Sequence, residues 1–235
     1  MQAVIMAGGN GVRLHPYTSV LPKPLIPIND VPIIEIIVRQ LRHHGFTRIS
    51  MALGHLADLI KVFLGDGSRY GVQIEYSVEA VPLGTISPLT LFHDLESTVL
   101  VMNADLLTNL DYRAFMDFHR VQQAAVTIGM YRKAIPVDLG VVETNGAYHL
   151  TRYLEKPEIT INVSMGIYAF ESRILSHLPK AQPVHFPDFI NQLIQSGENV
   201  IGYPFEGYWL DIGQHSDYDR AVREFNQIRG ELNID

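Results

Sequence analysis

The 235-residue sequence has no cysteine, which excludes a disulfide framework, a thiolate metal centre and a cysteine nucleophile together. Basic residues are also few: 18 Lys and Arg against 25 Asp and Glu leave a formal net charge of -7. Such a chain lacks a positive field with which to hold DNA or RNA, so any phosphate must be caught by local groups. No apolar run approaches the ~20 residues of a membrane span, and the start carries neither a basic region nor a signal core. A cytoplasmic protein with no nucleic-acid or membrane partner is therefore expected. Internal repeats, low-complexity tracts and Pro/Ser-rich linkers are missing too. What is there, 47% apolar residues over this length, suits a single domain over residues 1–235 with a sizeable core.

Gln2 to Ala7 is a short apolar run closed by Gly8 and Gly9, the pattern of a strand buried on both faces and followed by a turn. From Pro32 to His44, Ile33, Ile36, Ile37 and Leu41 fall at helical spacing, with Gly45 as the stop. Arg48 to Leu53, Gln73 to Ser77 and Val99 to Asn103 read as further strands, Ala57 to Leu64 and Leu89 to Leu95 as helices. This alternation predicts an α/β fold with a doubly wound, mostly parallel sheet over about residues 1–120. Ligands of such sheets sit at the carboxyl ends of the strands, here after Ala7, Leu53 and Asn103. Over about residues 121–220, Ala125 to Tyr131, Leu139 to Glu143, Tyr148 to Leu154 and Met165 to Phe170 are strand-like, predicting a small, partly antiparallel layer for a second substrate. A last helix covers about Asp217 to Arg229.

The most informative stretch runs from Gly8 to Pro24. Gly8, Gly9 and Gly11 directly after a buried strand let backbone N–H groups approach an anion with no Cβ in the way, so Ala7 and this turn read as a phosphate cradle. Leu14 stands where a dinucleotide fingerprint needs its third glycine, and no Gly-Lys-Ser/Thr follows, which disfavours both the dinucleotide and P-loop classes. Arg13 can fork onto phosphate oxygens, and Lys23 is a compact charge fixed between Pro22 and Pro24. Asp105, just past a strand end, is placed either to hold Mg²⁺ against phosphates or to cap a turn. The ten histidines show no zinc-ligand spacing, and no Gly-x-Ser-x-Gly elbow supports a hydrolase triad.

Taken in order, these segments resemble the sugar-phosphate nucleotidyltransferases, or nucleotide-sugar pyrophosphorylases. The glycine turn with Arg13-Leu14-x-Pro16-x-Thr18 and Pro22-Lys23-Pro24 matches the family signature, with Val12 where Ser or Thr is usual. Asn103-Ala104-Asp105-x-Leu107 is similar to Asn-Gly-Asp-x-Leu, and Trp209-x-Asp211-x-Gly213 to Trp-x-Asp-x-Gly. Pro82-Leu83-Gly84-Thr85, Glu155-Lys156-Pro157, Gly140-Val141-Val142 and Ser164-x-Gly166-Ile167-Tyr168 resemble further family elements, although Ile86 to Pro88 replaces the usual small residues and Ser164 the frequent Asn. The resemblance implies a Rossmann-like nucleotide-diphospho-sugar transferase fold, in a short form without a β-helix domain. It implies transfer of a nucleoside monophosphate from an NTP to a sugar 1-phosphate, with Arg13 and Lys23 catalytic and Mg²⁺ held by Asp105 and Asp211. Ala7, Gly8, Gly9, Gly11, Glu79, Pro82, Gly84 and Thr85 would bind the nucleotide; Gly140, Glu155, Lys156, Ser164 and Gly166 would bind the sugar phosphate. The Pro-Leu-Gly-Thr loop and Leu64 to Ser68 look most like the mannose-1-phosphate guanylyltransferase branch, favouring GTP with a mannose-like hexose or heptose 1-phosphate over UTP or dTTP with glucose 1-phosphate. Rival readings are a noncatalytic nucleotide-sugar-binding relative and a glycosyltransferase, which would need an Asp-x-Asp element where Asp105-Leu106-Leu107 stands. Homo-oligomerisation is open.

Overall fold

A computed structural model of the chain describes residues 1–79, 81, 83–179 and 182–234. The expected nucleotide contact Pro82 lies outside these residues. The first apolar run forms β1 (Gln2–Ala7), which leads through the hairpin β2 (Pro27–Ile28) and β3 (Val31–Pro32) into α1 (Ile33–His43). Then follow β4 (Arg48–Leu53), α2 (Ala57–Leu64), β5 (Gln73–Val78), β6 (Thr98–Asn103), β7 (Leu106–Thr108) and α3 (Tyr112–Val121). The second half holds β8 (Val126–Pro136), β9 (Val141–Thr144), β10 (Leu150–Leu154), β11 (Glu158–Glu171), α4 (Phe186–Gln195), β12 (Val200–Phe205), β13 (Trp209–Asp211) and α5 (His215–Ile228).

Seven strands form one sheet in the order β12-β8-β11-β6-β1-β4-β5, in which β11 runs antiparallel to both neighbours and the others are mutually parallel. Strand alternation divides the core. Ala3, Ile5 and Met51 face α1, α3 and α5 through Ile36, Phe115 and Phe225, whereas Val4, Val101 and Phe170 face α4 through Phe186 and Phe189. Helices thus cover both faces, which is why the central strands are apolar throughout.

The strand-like runs of the second half do not form a separate layer alone. β8 and β11 enter the central sheet, and their far ends continue as a two-stranded ribbon beside the hairpin of β9 and β10. The helix expected over Leu89 to Leu95 is instead a 3₁₀ turn over Ser87–Leu91, after which Phe92 is extended. So short a segment, begun next to Pro88, gains too few hydrogen bonds to offset helix nucleation. Two helices, α3 and α4, appear where none was expected.

Between α3 and the sheet, His119 is 1% exposed, with Nδ1 2.8 Å from Thr127 Oγ1 and Nε2 3.3 Å from Glu171 Oε1. Burial pushes its imidazole below the ordinary 6.5, against the opposing pull of Glu171. The unfolded chain therefore takes a proton that the folded chain refuses, so stability is lost as pH falls below about 6.5. Melting at pH 7.5 and pH 5.5 checks this: wild type loses Tm on acidification, and His119→Gln loses less.

Candidate active site

The chain proceeds from β1 to β4 and β5 on one side, then crosses to β6 on the other, so the strand order reverses at β1. Such a reversal opens a crevice beyond the carboxyl ends of the two diverging strands. A cavity of about 590 Å³ lies there. Ala7, Gly8, Gly9 and Asn10 line it from the end of β1, Gly54 and His55 from β4, Glu79 from β5, and Asn103, Ala104 and Asp105 from β6. Lys23, Gly84, Thr85 and His185 also line it.

A Cβ on Gly8 would stand 2.6 Å from the movable Glu79 Oε1, whereas one on Gly54 would stand 2.4 Å from the Gly8 carbonyl oxygen, so backbone approach requires glycine at Gly54. Glu79 Oε2 accepts the backbone N–H of Leu83 at 2.8 Å, which leaves Oε1 over the glycine turn. Gly11 has φ +61 and sits below the turn; its carbonyl accepts from the Thr18 hydroxyl at 2.9 Å, which locks the loop that delivers Lys23. Gly84 (φ +84) lies against the Val184 backbone, and the Thr85 hydroxyl accepts the N–H of Phe186 at 2.8 Å, clamping this loop to the start of α4.

Opposite the glycine turn, the Lys23 ammonium donates to Asp105 Oδ2. Lys23 is only 11% exposed, and Asp105 Oδ1 is buried with no donor among the described residues. Asp105 immediately precedes β7, which pairs antiparallel with β13, so that Asp211 is opposite Leu106 and the N–H of Ile212 donates to the Asp105 carbonyl at 3.0 Å. Two carboxylates a hundred residues apart in sequence are thereby neighbours. Surrounding protein pushes the Asp211 carboxyl above its ordinary range, the negative charge of Asp105 adds to this, and Lys23 and Arg13 oppose it. Arg13 belongs to the same group: a Cβ on Gly213 would stand 3.5 Å from one guanidinium nitrogen and 3.6 Å from Asp211 Oδ1. His215 Nε2 donates to the His15 carbonyl at 2.7 Å, fastening the signature loop to α5.

The sugar-side candidates divide. Gly166 (φ +72) occupies a bulge of β11 and packs on Asn103, its notional Cβ 2.6 Å from the amide nitrogen; Ser164, in the same bulge, donates to the Tyr168 hydroxyl at 3.1 Å. Trp209 Nε1 donates to the Met165 carbonyl at 3.0 Å, tying this bulge to β13. Gly140, Glu155 and Lys156 are instead exposed in the links flanking the β9–β10 hairpin and line no part of the cavity. Lys156 has φ +45, a left-handed conformation that costs a non-glycine residue of order 1–3 kcal/mol. Sequence reasoning missed Asn10, Gly54, His55 and His185. The first three follow strand ends already singled out; His185 precedes a helix that was not foreseen.

Among the described residues no group of three or more His, Asp or Glu could enclose a metal. Mg²⁺ does not need one, since it keeps several waters and takes one or two carboxylates plus substrate phosphates. A buried, unpartnered Asp105 oxygen beside a second carboxylate of raised proton affinity fits that demand. The arrangement can therefore gather phosphate oxygens between backbone N–H groups, two cations and a carboxylate pair.

Known proteins are similar to this chain over nearly its whole length. The chain is 33% identical over 245 aligned residues to a UTP–glucose-1-phosphate uridylyltransferase of Synechocystis and 31% identical over 239 to a mannose-1-phosphate guanylyltransferase of Mycobacterium tuberculosis. These alignments take in 95% and 98% of this chain but 63% and 65% of those proteins, so the chain spans less than two thirds of their length. A Bacillus anthracis structure assigned as a glucose-1-phosphate thymidylyltransferase superposes with a TM-score of 0.76 at 26% identity, covering 95% of this chain and 94% of that one. The family described as nucleotidyl transferase matches residues 2–227, and the chain belongs to that family.

Proposed function

We propose that this cleft joins an NTP to a sugar 1-phosphate, giving a nucleotide-sugar and pyrophosphate. The observation that carries the reading is the meeting of Lys23, Arg13, Asp105 and Asp211 beside the glycine turn. A sugar-phosphate oxygen attacks the α-phosphorus in line; the bond from that phosphorus to the bridging oxygen breaks, and pyrophosphate leaves with the electron pair. Little covalent help is needed for this, only alignment of two anions and neutralisation of the leaving group.

Gly8, Gly9 and Gly11 hold the phosphates in this reading, Ala7, Glu79, Gly84 and Thr85 the nucleoside, and Arg13 steadies the departing pyrophosphate. Lys23 exchanges Asp105 for the reacting phosphates. Asp105 and Asp211 would hold Mg²⁺, which supplies charge neutralisation on the phosphate oxygens when bound. Residues 1–120 serve as the nucleotide half and 121–220 as the sugar-phosphate half of one catalytic domain. Gly140, Glu155, Lys156, Ser164 and Gly166 take the sugar phosphate. Cytoplasmic NTP is the substrate pool.

GTP with a mannose-like hexose or heptose 1-phosphate is our first substrate pair. UTP or dTTP with glucose 1-phosphate is the second, favoured by the uridylyltransferase and thymidylyltransferase relatives. Pyrophosphate release with Mg²⁺, an NTP panel and a sugar 1-phosphate panel decides: release that requires both substrates is expected. Binding of nucleotide-sugar without release from any pair would assign a noncatalytic role.

A further inference from the structure

Away from the catalytic cleft, a second cavity of about 550 Å³ is lined by α1, by Phe63 of α2, by Arg69 and Tyr70 of a 3₁₀ turn and by Asn233 and Ile234. Among the described residues, three arginines and one carboxylate, Glu35, line it. Arg39 is already committed: Nε and Nη2 donate to Glu35 Oε1 at 3.0 and 2.7 Å, and Nη1 donates to the Ile234 carbonyl at 2.9 Å. Arg42 and Arg69 have no carboxylate partner among the described residues. Asp66, close to Arg69 in sequence, accepts the N–H of Ser68 at 2.9 Å and keeps its charge.

Neither guanidinium group is held by a carboxylate among the described residues. The Arg69 guanidinium carbon lies 4.8 Å from the Phe63 ring centroid and 4.6 Å from that of Tyr70, and the group donates to the Tyr70 hydroxyl. Arg42 lies along Gly71 (φ +71), where a Cβ would come within 3.0 Å of Nε. Complementing the dipole at the end of α1 accounts for Arg42. It does not account for Arg69, which lies on a 3₁₀ turn outside the helix. A guanidinium fixed on aromatic faces loses little further freedom on binding and presents its fork to a tetrahedral oxyanion.

We infer that this cavity is a second anion site, separate from the catalytic cleft, which takes a phosphate dianion between Arg42 and Arg69. Two guanidinium groups with no carboxylate partner among the described residues offer forked donors suited to inorganic phosphate or a phosphate monoester near neutral pH.

The test titrates inorganic phosphate into the full chain and follows the arginine Nε–Hε NMR signals. Those of Arg42 and Arg69 should move together and saturate with one Kd, in wild type and in Lys23→Met alike. Arg69→Gln should weaken that Kd at least about tenfold, the worth of one charge-assisted hydrogen bond. Glucose 6-phosphate at matched ionic strength separates the sources: tighter binding than phosphate assigns an ester, equal binding the free anion. The inference is overturned if the two signals fail to saturate by about 10 mM phosphate, or if chloride at equal ionic strength moves them equally. Because no turnover is measured, this result and the result of the pyrophosphate assay stand or fall separately.

Discussion

Lys23→Ala lowers turnover at least about a hundredfold, as does Arg13→Ala, the loss expected when one oriented charge is removed from a transition state. The two variants differ in cause. Lys23 is 11% exposed, fixed by flanking prolines and bonded to Asp105, so its removal also leaves a carboxylate without its cation. Arg13 is exposed beside Gly213 and Asp211, so its loss removes a cation that makes no ion pair with Asp105. Steady-state kinetics with saturating substrates reads both effects in kcat. Near-normal kcat in either variant would refute the role given to that residue.

Asp211→Asn is expected to lower turnover by a similar factor while raising the melting temperature at neutral pH. Crowding by protein and the charge of Asp105 hold the Asp211 carboxyl above its ordinary 3.8. The folded chain therefore holds that proton more tightly than the unfolded chain does. Charged Asp211 costs stability at neutral pH; the cost fades as pH falls through the raised value and is gone below about 3.8. Asn has no such cost. The gain is small, because Asp211 borders solvent and water screens the pair. Thermal melts at pH 7.5 in metal-free buffer should show the variant above wild type, and added Mg²⁺ with NTP should reverse the order. A variant that melts below wild type without metal would show that Asp211 is a structural residue.

The first half of the fold was legible because its signals are local. β1, α1, β4 and β6 lie within a residue of where apolar runs and helical spacing put them, since buried parallel strands and amphipathic helices write their environment into consecutive residues. α3 was legible but unread: Asp111 caps it by accepting from Ala114 at 2.9 Å, and Tyr112, Phe115, Met116 and His119 repeat at helical spacing. α4 was masked by Pro187, which suits a helix's first turn but reads as a breaker. Long-range pairing left no local mark. That β8 joins β12 and β11, or that the three-residue strands β7 and β13 pair, depends on which distant surfaces bury one another.

The site divides along the same line. Gly8 and Asp105 were legible because they follow strand ends, whereas Glu79 was reached by resemblance. Asp211 was reached by resemblance alone, because nothing within Trp209–Asp211 announces that it pairs with β7. His55 went unread because an isolated histidine after a strand looks like any surface histidine until the strands are ordered.

The central claim is that Asp105 and Asp211, joined by β7 and β13, share one divalent ion against the phosphates of a nucleotide. Electron paramagnetic resonance of Mn²⁺ titrated into the chain with a non-hydrolysable GTP analogue measures this directly. One nucleotide-dependent Mn²⁺ per chain is expected, lost in Asp105→Asn and in Asp211→Asn alike. Full-affinity Mn²⁺ binding in either variant would contradict the account.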